Sequence, residues 1–211
     1  MAAVQARNCT GRDSEELRMT QLTLVLISGG PGTGKTFLAR RLAEELPVVV
    51  LEKDAIKETL FDAVGEGDRE WSKKLGGATF ALLRMLVESH LKAGQSVVVE
   101  STFQSEFDLP WLVRIRERFD FGVLELHCHT DADTALSRYV QRIDSDDRHV
   151  GHLAGMSRDV HVEELRKRFG SYGPLAAGKE LIRIDTTDFS RVDYAAIVER
   201  VRAAIDSGGG S

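Results

Sequence analysis

The sequence predicts an α/β domain built on a five-stranded parallel sheet with helices on both faces, and three observations carry that prediction. Residues Gly29-Gly30-Pro31-Gly32-Thr33-Gly34-Lys35-Thr36 match the G-x-x-x-x-G-K-S/T phosphate-binding loop throughout. Five short apolar runs stand at intervals along the 211 residues, each followed by residues of helical periodicity. The chain has no internal repeat and no second loop of this kind. Strand and helix therefore alternate within one unit, the pattern that folds as a parallel sheet with right-handed crossovers.

The first unit sets the chemistry. Leu22-Thr23-Leu24-Val25-Leu26-Ile27 is apolar and β-branched enough to be a buried parallel strand, and Phe37 to Leu46 repeats apolar residues at helical spacing. Between them the glycines let successive backbone N–H groups turn towards one anion, while the next helix presents its positive N-terminal end. In that setting Lys35 reaches the β- and γ-phosphates of a nucleotide, and the Thr36 hydroxyl ligates Mg²⁺. Lys35 is expected in an exposed loop, outside the core.

Pro47 breaks the first helix, and Val48-Val49-Val50-Leu51 reads as the second strand, ending at Glu52-Lys53-Asp54. A helix then covers Ala55 to Ala63. Ligands of open α/β sheets bind beyond the carboxyl ends of the strands, so Asp54 belongs on the rim that carries the loop, as a helix cap, a catalytic group or both. A long helix is expected from about Glu70 to Ala93, with Phe80, Leu83, Leu86, Val87 and Leu91 on its core face. Trp71 and Leu75 near its start either pack the helix end or line a pocket. Gly94 ends this helix, and Ser96-Val97-Val98-Val99 is a third strand that closes on Glu100, aimed at Mg²⁺, at its waters or at substrate.

A helix around Trp111 to Phe119 carries Arg114, Arg116 and Arg118 on a solvated face. Phe121 to Cys128 is the fourth strand, with His127 and His129 alternating to one side as packing or rim residues. Asp131 to Asp144 is helical and places Arg138 and Arg142 one turn apart, and the polar loop from Asp144 to His152 adds Arg148. Phosphoryl transfer calls for a mobile cationic cover over the phosphate. These arginines supply it, or else pair on the surface with Asp144, Asp146 and Asp147. Helix 157–169, a turn from Gly170 to Pro174, a fifth strand Leu181-Ile182-Arg183-Ile184 and a final helix Val192 to Ile205 complete the layers.

A formal charge of −5 argues against a broad nucleic-acid footprint. Cys9 and Cys128 are too few for a disulfide framework and point to a reducing compartment, the cytoplasm. No apolar stretch approaches the ~20 residues of a membrane span, and the N-terminus lacks the apolar core of a signal peptide. Residues 1–20 are expected to be a disordered leader, with Met19 an alternative start, residues 21–206 the domain, about 142–156 its lid, and Ser207-Gly208-Gly209-Gly210-Ser211 a flexible tail.

Taken in this order, the loop Gly29 to Thr36, the strand end Lys53-Asp54-Ala55-Ile56-Lys57, Glu100, the pair Arg138/Arg142 and the segment Arg148-His149-Val150-Gly151-His152 resemble the small P-loop kinases of the zeta toxin, chloramphenicol phosphotransferase and polynucleotide kinase group. The resemblance spans about Leu22 to Ile205. It implies a P-loop NTPase fold of the adenylate-kinase-like kind with a mobile arginine-bearing lid, and ATP with Mg²⁺ as cofactors. Gly30, Pro31, Gly32, Thr33, Gly34, Lys35, Thr36 and Phe37 would hold the nucleotide and Arg138 would cover the adenine. Asp54 would accept the proton of the substrate hydroxyl, with Lys57 and Glu100 beside the acceptor, and Arg142 and Arg148 would hold the transferring phosphate. Lys57 departs from the group, many of whose members have an arginine there, and a point charge in place of a bidentate fork leaves the acceptor's identity open.

Three functions are compatible with this reading. The first is an ATP:hydroxyl phosphotransferase acting on a small polar acceptor held between helices 54–64 and 70–93. The second is a nucleotide-dependent switch or ATPase, although the D-x-x-G string Asp62 to Gly65 ends a helix and no Asn-Lys-x-Asp is present. The third is a 5′-hydroxyl nucleic-acid kinase, which the acidic charge disfavours.

Overall fold

The computed structural model describes residues 22–65, 67–145, 149 and 157–209. Five strands, β1 (Leu22–Ser28), β2 (Val49–Glu52), β3 (Val97–Glu100), β4 (Phe121–His129) and β5 (Glu180–Asp185), form one sheet in the order β2-β3-β1-β4-β5. Every pairing is parallel, so every connection is a crossover. Helices α1 (Lys35–Glu45), α2 (Lys53–Val64), α3 (Arg69–Lys92), α4 (Ser105–Arg116), α5 (Ala132–Asp144), α6 (Arg158–Arg168) and α7 (Tyr194–Gly209) make those crossovers and complete the layers. The expected fold class is the observed one.

Alternation along the strands divides the core. Val25, Ile27, Val98, Leu126 and Cys128 face one side and pack with Leu38 and Leu42 of α1 and Val198 and Val201 of α7. Leu24, Leu26, Val97 and Val99 face the other and meet Leu83 and Val87 of α3 and Trp111 and Ile115 of α4. A third, smaller cluster of Leu136, Tyr139 and Leu165 joins α5 to α6. Burial drives the Cys128 thiol up to about 12, so it acts as core rather than as a nucleophile. None of the described helices is long and apolar enough to cross a membrane.

Three boundaries differ from expectation. The fourth helix begins at Ser105, not near Trp111, because Asp108 Oδ2 accepts the Gln104 N–H at 2.8 Å while the Gln104 carbonyl accepts the N–H groups of Phe107 and Asp108. This closes a helical turn ahead of Pro110, which lies inside the helix on its exposed side. The second helix starts at Lys53 directly from β2, with Glu52 in the cap position, so Asp54 is not its cap but sits in the first turn, where a carboxylate is favoured by the helix dipole. The last helix runs on to Gly209, and the Ser207 hydroxyl donates to the Ala204 carbonyl. The glycine-rich tail is thus helical through Gly209, and residues 210 and 211, like the leader, lie outside the described residues.

Candidate active site

The sheet order brings the ends of β1 and β3 together, with Ile27 opposite Glu100 and Glu52 opposite Glu100 on the far side. The loop after β1 turns tightly through two glycines that admit no side chain. Gly29 has φ 133, and a Cβ there would lie 2.1 Å from the Cys128 carbonyl oxygen; Gly32 has φ 78, and its Cβ would lie 2.2 Å from the Ala135 carbonyl oxygen. The Gly30 carbonyl gathers three donors: Lys35 Nζ and Thr33 Oγ1, both at 2.8 Å, and the Thr33 N–H at 3.4 Å. Thr186 at the end of β5 donates to the Thr33 carbonyl and pins the loop from the far side. Helix α1 then starts at a left-handed Gly34 with no side chain capping its first turn, which leaves its N-terminal dipole directed at whatever the loop binds.

Lys35 is buried, at 7% exposure, contrary to the expectation of an exposed loop lysine. Its Nζ lies 3.9 Å from Glu100 Oε1, and Glu100 is itself buried. Burial lowers the Lys35 pKa, offset in part by Glu100, and the same cause raises Glu100 to about 7 despite the attraction of Lys35. Desolvation thus outweighs pairing for both groups.

A cavity of about 880 Å³ opens from the loop, and its walls collect nearly every residue singled out from sequence. Pro31, Gly32, Gly34, Lys35, Thr36 and Phe37 form its floor, and Asp54 and Lys57 come from α2. Glu100 closes β3, and Arg138 and Arg142 come from α5. Lys53 Nζ donates to Asp54 Oδ1 at 2.8 Å and orients that carboxylate. Arg138 lies 4.1 Å over the Phe189 ring and donates to the Thr187 carbonyl, and its Nη1 is withdrawn from water without a hydrogen-bond partner. Beside it Phe37 packs at a tilt on Phe189 and in a T-shaped contact with Tyr194, and is itself 54% exposed. An aromatic and guanidinium shelf next to a phosphate-binding loop suits a planar base.

The long third helix does not line the cavity, although it was expected to hold the acceptor. Its Leu83, Val87 and Leu91 are taken up by the core, and Trp71 meets Phe61 edge-on at 5.8 Å to pack the end of α2. Its place is taken by α6, which contributes His161, Glu164 and Arg168, and by Tyr172 beyond it. Arg148 lies outside the described residues, as does most of the expected lid. His149, which is described, bonds Asp62 at 2.9 Å and rests edge-on against Phe61.

A buried carboxylate that sequence reading missed holds the new wall in place. Glu125, fully buried in β4, accepts the Ser28 hydroxyl at 2.6 Å and the N–H groups of Leu175 and Ala176 at 2.8 Å. Ala176 has φ 50, so the carboxylate binds a strained left-handed turn. Since the single Ser28 proton goes to Glu125, the His127 Nδ1 at 2.9 Å from Ser28 Oγ is the donor of that contact. Burial lowers the His127 pKa, which agrees with a neutral ring carrying its proton on Nδ1. Glu125 thereby ties the strand that leads into the loop to the segment that carries Tyr172. One signal was available: a single acid in an otherwise apolar strand.

The fold and this loop define a P-loop NTPase of the α/β class. The chain belongs to the AAA domain family, whose profile matches residues 24–161. Among solved structures it is similar to a provisionally named kinase from Chloroflexus aurantiacus J-10-fl, at 34% identity and TM-score 0.79, over 88% of this chain and 98% of that one. The fold is shared with a sugar kinase from Janibacter sp. HTCC2649, at 18% identity and TM-score 0.51, over 88% of this chain and 95% of that one. It is also shared with a shikimate kinase from Acinetobacter baumannii, solved in complex with shikimate, at 18% identity and TM-score 0.50, over 90% and 95%. No curated protein matches the chain.

Proposed function

We propose that the protein transfers the γ-phosphoryl group of ATP to a hydroxyl of a small polar acceptor. The observation that supports this most is the shared cavity of about 880 Å³, which is lined by both the phosphate-binding loop and Asp54, a volume we read as room for an acceptor beside the nucleotide. A nucleotide-dependent switch has no need of that second space. The kinase name of the 34% identical relative and the resemblance to small P-loop kinases of the zeta toxin group point the same way.

Bound ATP supplies the phosphoryl group. The first turn of α1 and Lys35 hold its phosphates, and the shelf of Phe37, Phe189 and Arg138 holds its base. The Thr36 hydroxyl would hold magnesium, with Glu100 or Asp54 beside it, and the ion would neutralise charge on the phosphates. Asp54, oriented by Lys53, receives the proton of the acceptor hydroxyl. Arg142 would face the phosphate as negative charge develops on it. The test is to incubate the protein with ATP, Mg²⁺ and pools of hydroxyl compounds and to search by mass spectrometry for the gain of one phosphoryl group. A product is expected. Turnover seen only with a protein or an oligonucleotide would overturn the proposal.

A further inference from the structure

A hydroxyl held away from water needs a hydrogen-bond partner, because leaving it unpaired forfeits its hydration for nothing in return. Most buried hydroxyls of this protein have one. Thr23 Oγ1 donates to the Ala204 carbonyl, Ser28 Oγ to Glu125, Thr33 Oγ1 to the Gly30 carbonyl, Thr79 Oγ1 to the Leu75 carbonyl and Thr186 Oγ1 to the Thr33 carbonyl. Ser101 differs. It is 1% exposed, and its Oγ is withdrawn from water with no hydrogen-bond partner among the described residues. It is nevertheless one of the residues that line the cavity.

The sheet fixes where this hydroxyl stands. The Ser101 N–H donates to the Ile27 carbonyl at 3.2 Å, so its backbone is held at the end of β1, one residue beyond the pair Ile27 and Glu100. Strand β3 lies between β1, which runs into the phosphate-binding loop, and β2, which runs into Asp54. A hydroxyl placed between a phosphate on the loop and a base at Asp54 therefore comes over the end of β3. Alternation then separates the two sides of that strand. Val98 packs on the face that carries α1, and Glu100, two residues on, lies 3.9 Å from Lys35 of that helix. Val97, Val99 and Phe103 pack on the opposite face with Ile56 of α2 beside them, and Ser101 falls in their row. Glu100 thus belongs to the side of the nucleotide loop and Ser101 to the side of α2, the helix that carries Asp54.

We infer that Ser101 is a specificity residue for the acceptor, its hydroxyl pairing with a neutral polar group, a hydroxyl or a carbonyl oxygen, next to the hydroxyl that is phosphorylated. The inference rests on the phosphotransferase reading. A serine hydroxyl both donates and accepts, so it meets either group without a charge. The hydrogen bond it lacks in the protein alone is the one the acceptor supplies, and an acceptor without that group leaves a buried polar atom unpaired, which is a basis for discrimination.

The full chain is compared with Ser101→Ala and Ser101→Cys in three measurements. In urea unfolding without nucleotide, Ser101→Ala should be no less stable than the parent, because the hydroxyl it loses has no partner to leave behind; a clear loss would make Ser101 a structural hydroxyl and overturn the inference. Titration with Mg²⁺ and a non-hydrolysable ATP analogue should give affinities within about twofold of the parent, and a loss of about tenfold would assign the hydroxyl to the nucleotide instead. With ATP, Mg²⁺ and pooled sugars, polyols and hydroxy acids, KM for the compound that is phosphorylated should rise roughly three- to tenfold in Ser101→Ala, the scale of one neutral hydrogen bond, with kcat changed less. Ser101→Cys keeps the size and a weak donor and should fall between the two. An unchanged KM overturns the role of Ser101 and leaves the proposed function standing. No product from the parent with any pool removes the proposed function, and with it the acceptor that Ser101 is inferred to hold.

Discussion

Glu100 Oε1 and Lys35 Nζ lie 3.9 Å apart with neither side chain open to water, and burial moves both groups towards their uncharged forms. For Glu100 the shift has a definite sign. Its folded pKa of about 7 lies above the ordinary 4.5, so its contribution to stability is fully present below about 4.5 and is lost as pH rises through about 7. Glu100→Gln should flatten that part of the pH dependence and raise the stability of the nucleotide-free protein more at pH ~8 than at pH ~5. Urea unfolding across this range checks it, and an unchanged slope in the variant would contradict the buried placement.

Lys35 has a structural share as well as a ligand share. Lys35→Met keeps most of the volume but removes a donor to the Gly30 carbonyl and leaves Glu100 without its nearest cation. Loss of nucleotide-dependent turnover is expected, together with a stability loss of roughly 1–3 kcal/mol. A variant as stable as the parent at neutral pH would mean that Glu100 is already protonated there.

Arg142→Ala should lower kcat by about 10²-fold or more while affecting ATP affinity much less, because its charge matters most where the phosphate gains negative charge. Steady-state kinetics and nucleotide titration separate the two effects. Near-parental kcat would make Arg142 a solvated surface group.

Glu125 gives a third kind of prediction. Glu125→Leu leaves the Leu175 and Ala176 N–H groups and the Ser28 hydroxyl without their acceptor, at a cost of about 2–5 kcal/mol. Glu125→Gln keeps the shape and should cost less. Since the same turn positions Tyr172 against Gly30, KM should rise in the glutamine variant before the fold is lost; unfolding curves and KM measured together distinguish a hinge from a plain core residue.

The sheet and its rim were legible because each strand is a short, β-branched run that ends at a chemical residue: Ser28 before the loop, Glu52 before Asp54, and Val99 before Glu100. A local pattern suffices for such elements. Lys35 was misplaced because its environment comes from Glu100, distant in sequence, and a motif carries no information about burial. The wall of α6 was unreadable for a similar reason. His161, Glu164 and Arg168 face the cavity only because Leu136, Tyr139 and Leu165 dock α6 on α5, and that helix has little amphipathic pattern of its own. The start of α4 was hidden by Pro110, a residue that ends most helices but here sits on a solvent face.

The central claim is that Asp54 takes the proton of an acceptor hydroxyl. Its most direct test compares wild-type protein with Asp54→Asn, each incubated with ATP, Mg²⁺ and pooled hydroxyl compounds, by quantifying the phosphorylated product in single-turnover experiments alongside ATP affinity. The amide keeps the shape and removes the base, so product formation should fall by about 10²–10⁴-fold with ATP binding retained. A product formed at an undiminished rate by Asp54→Asn would contradict the account.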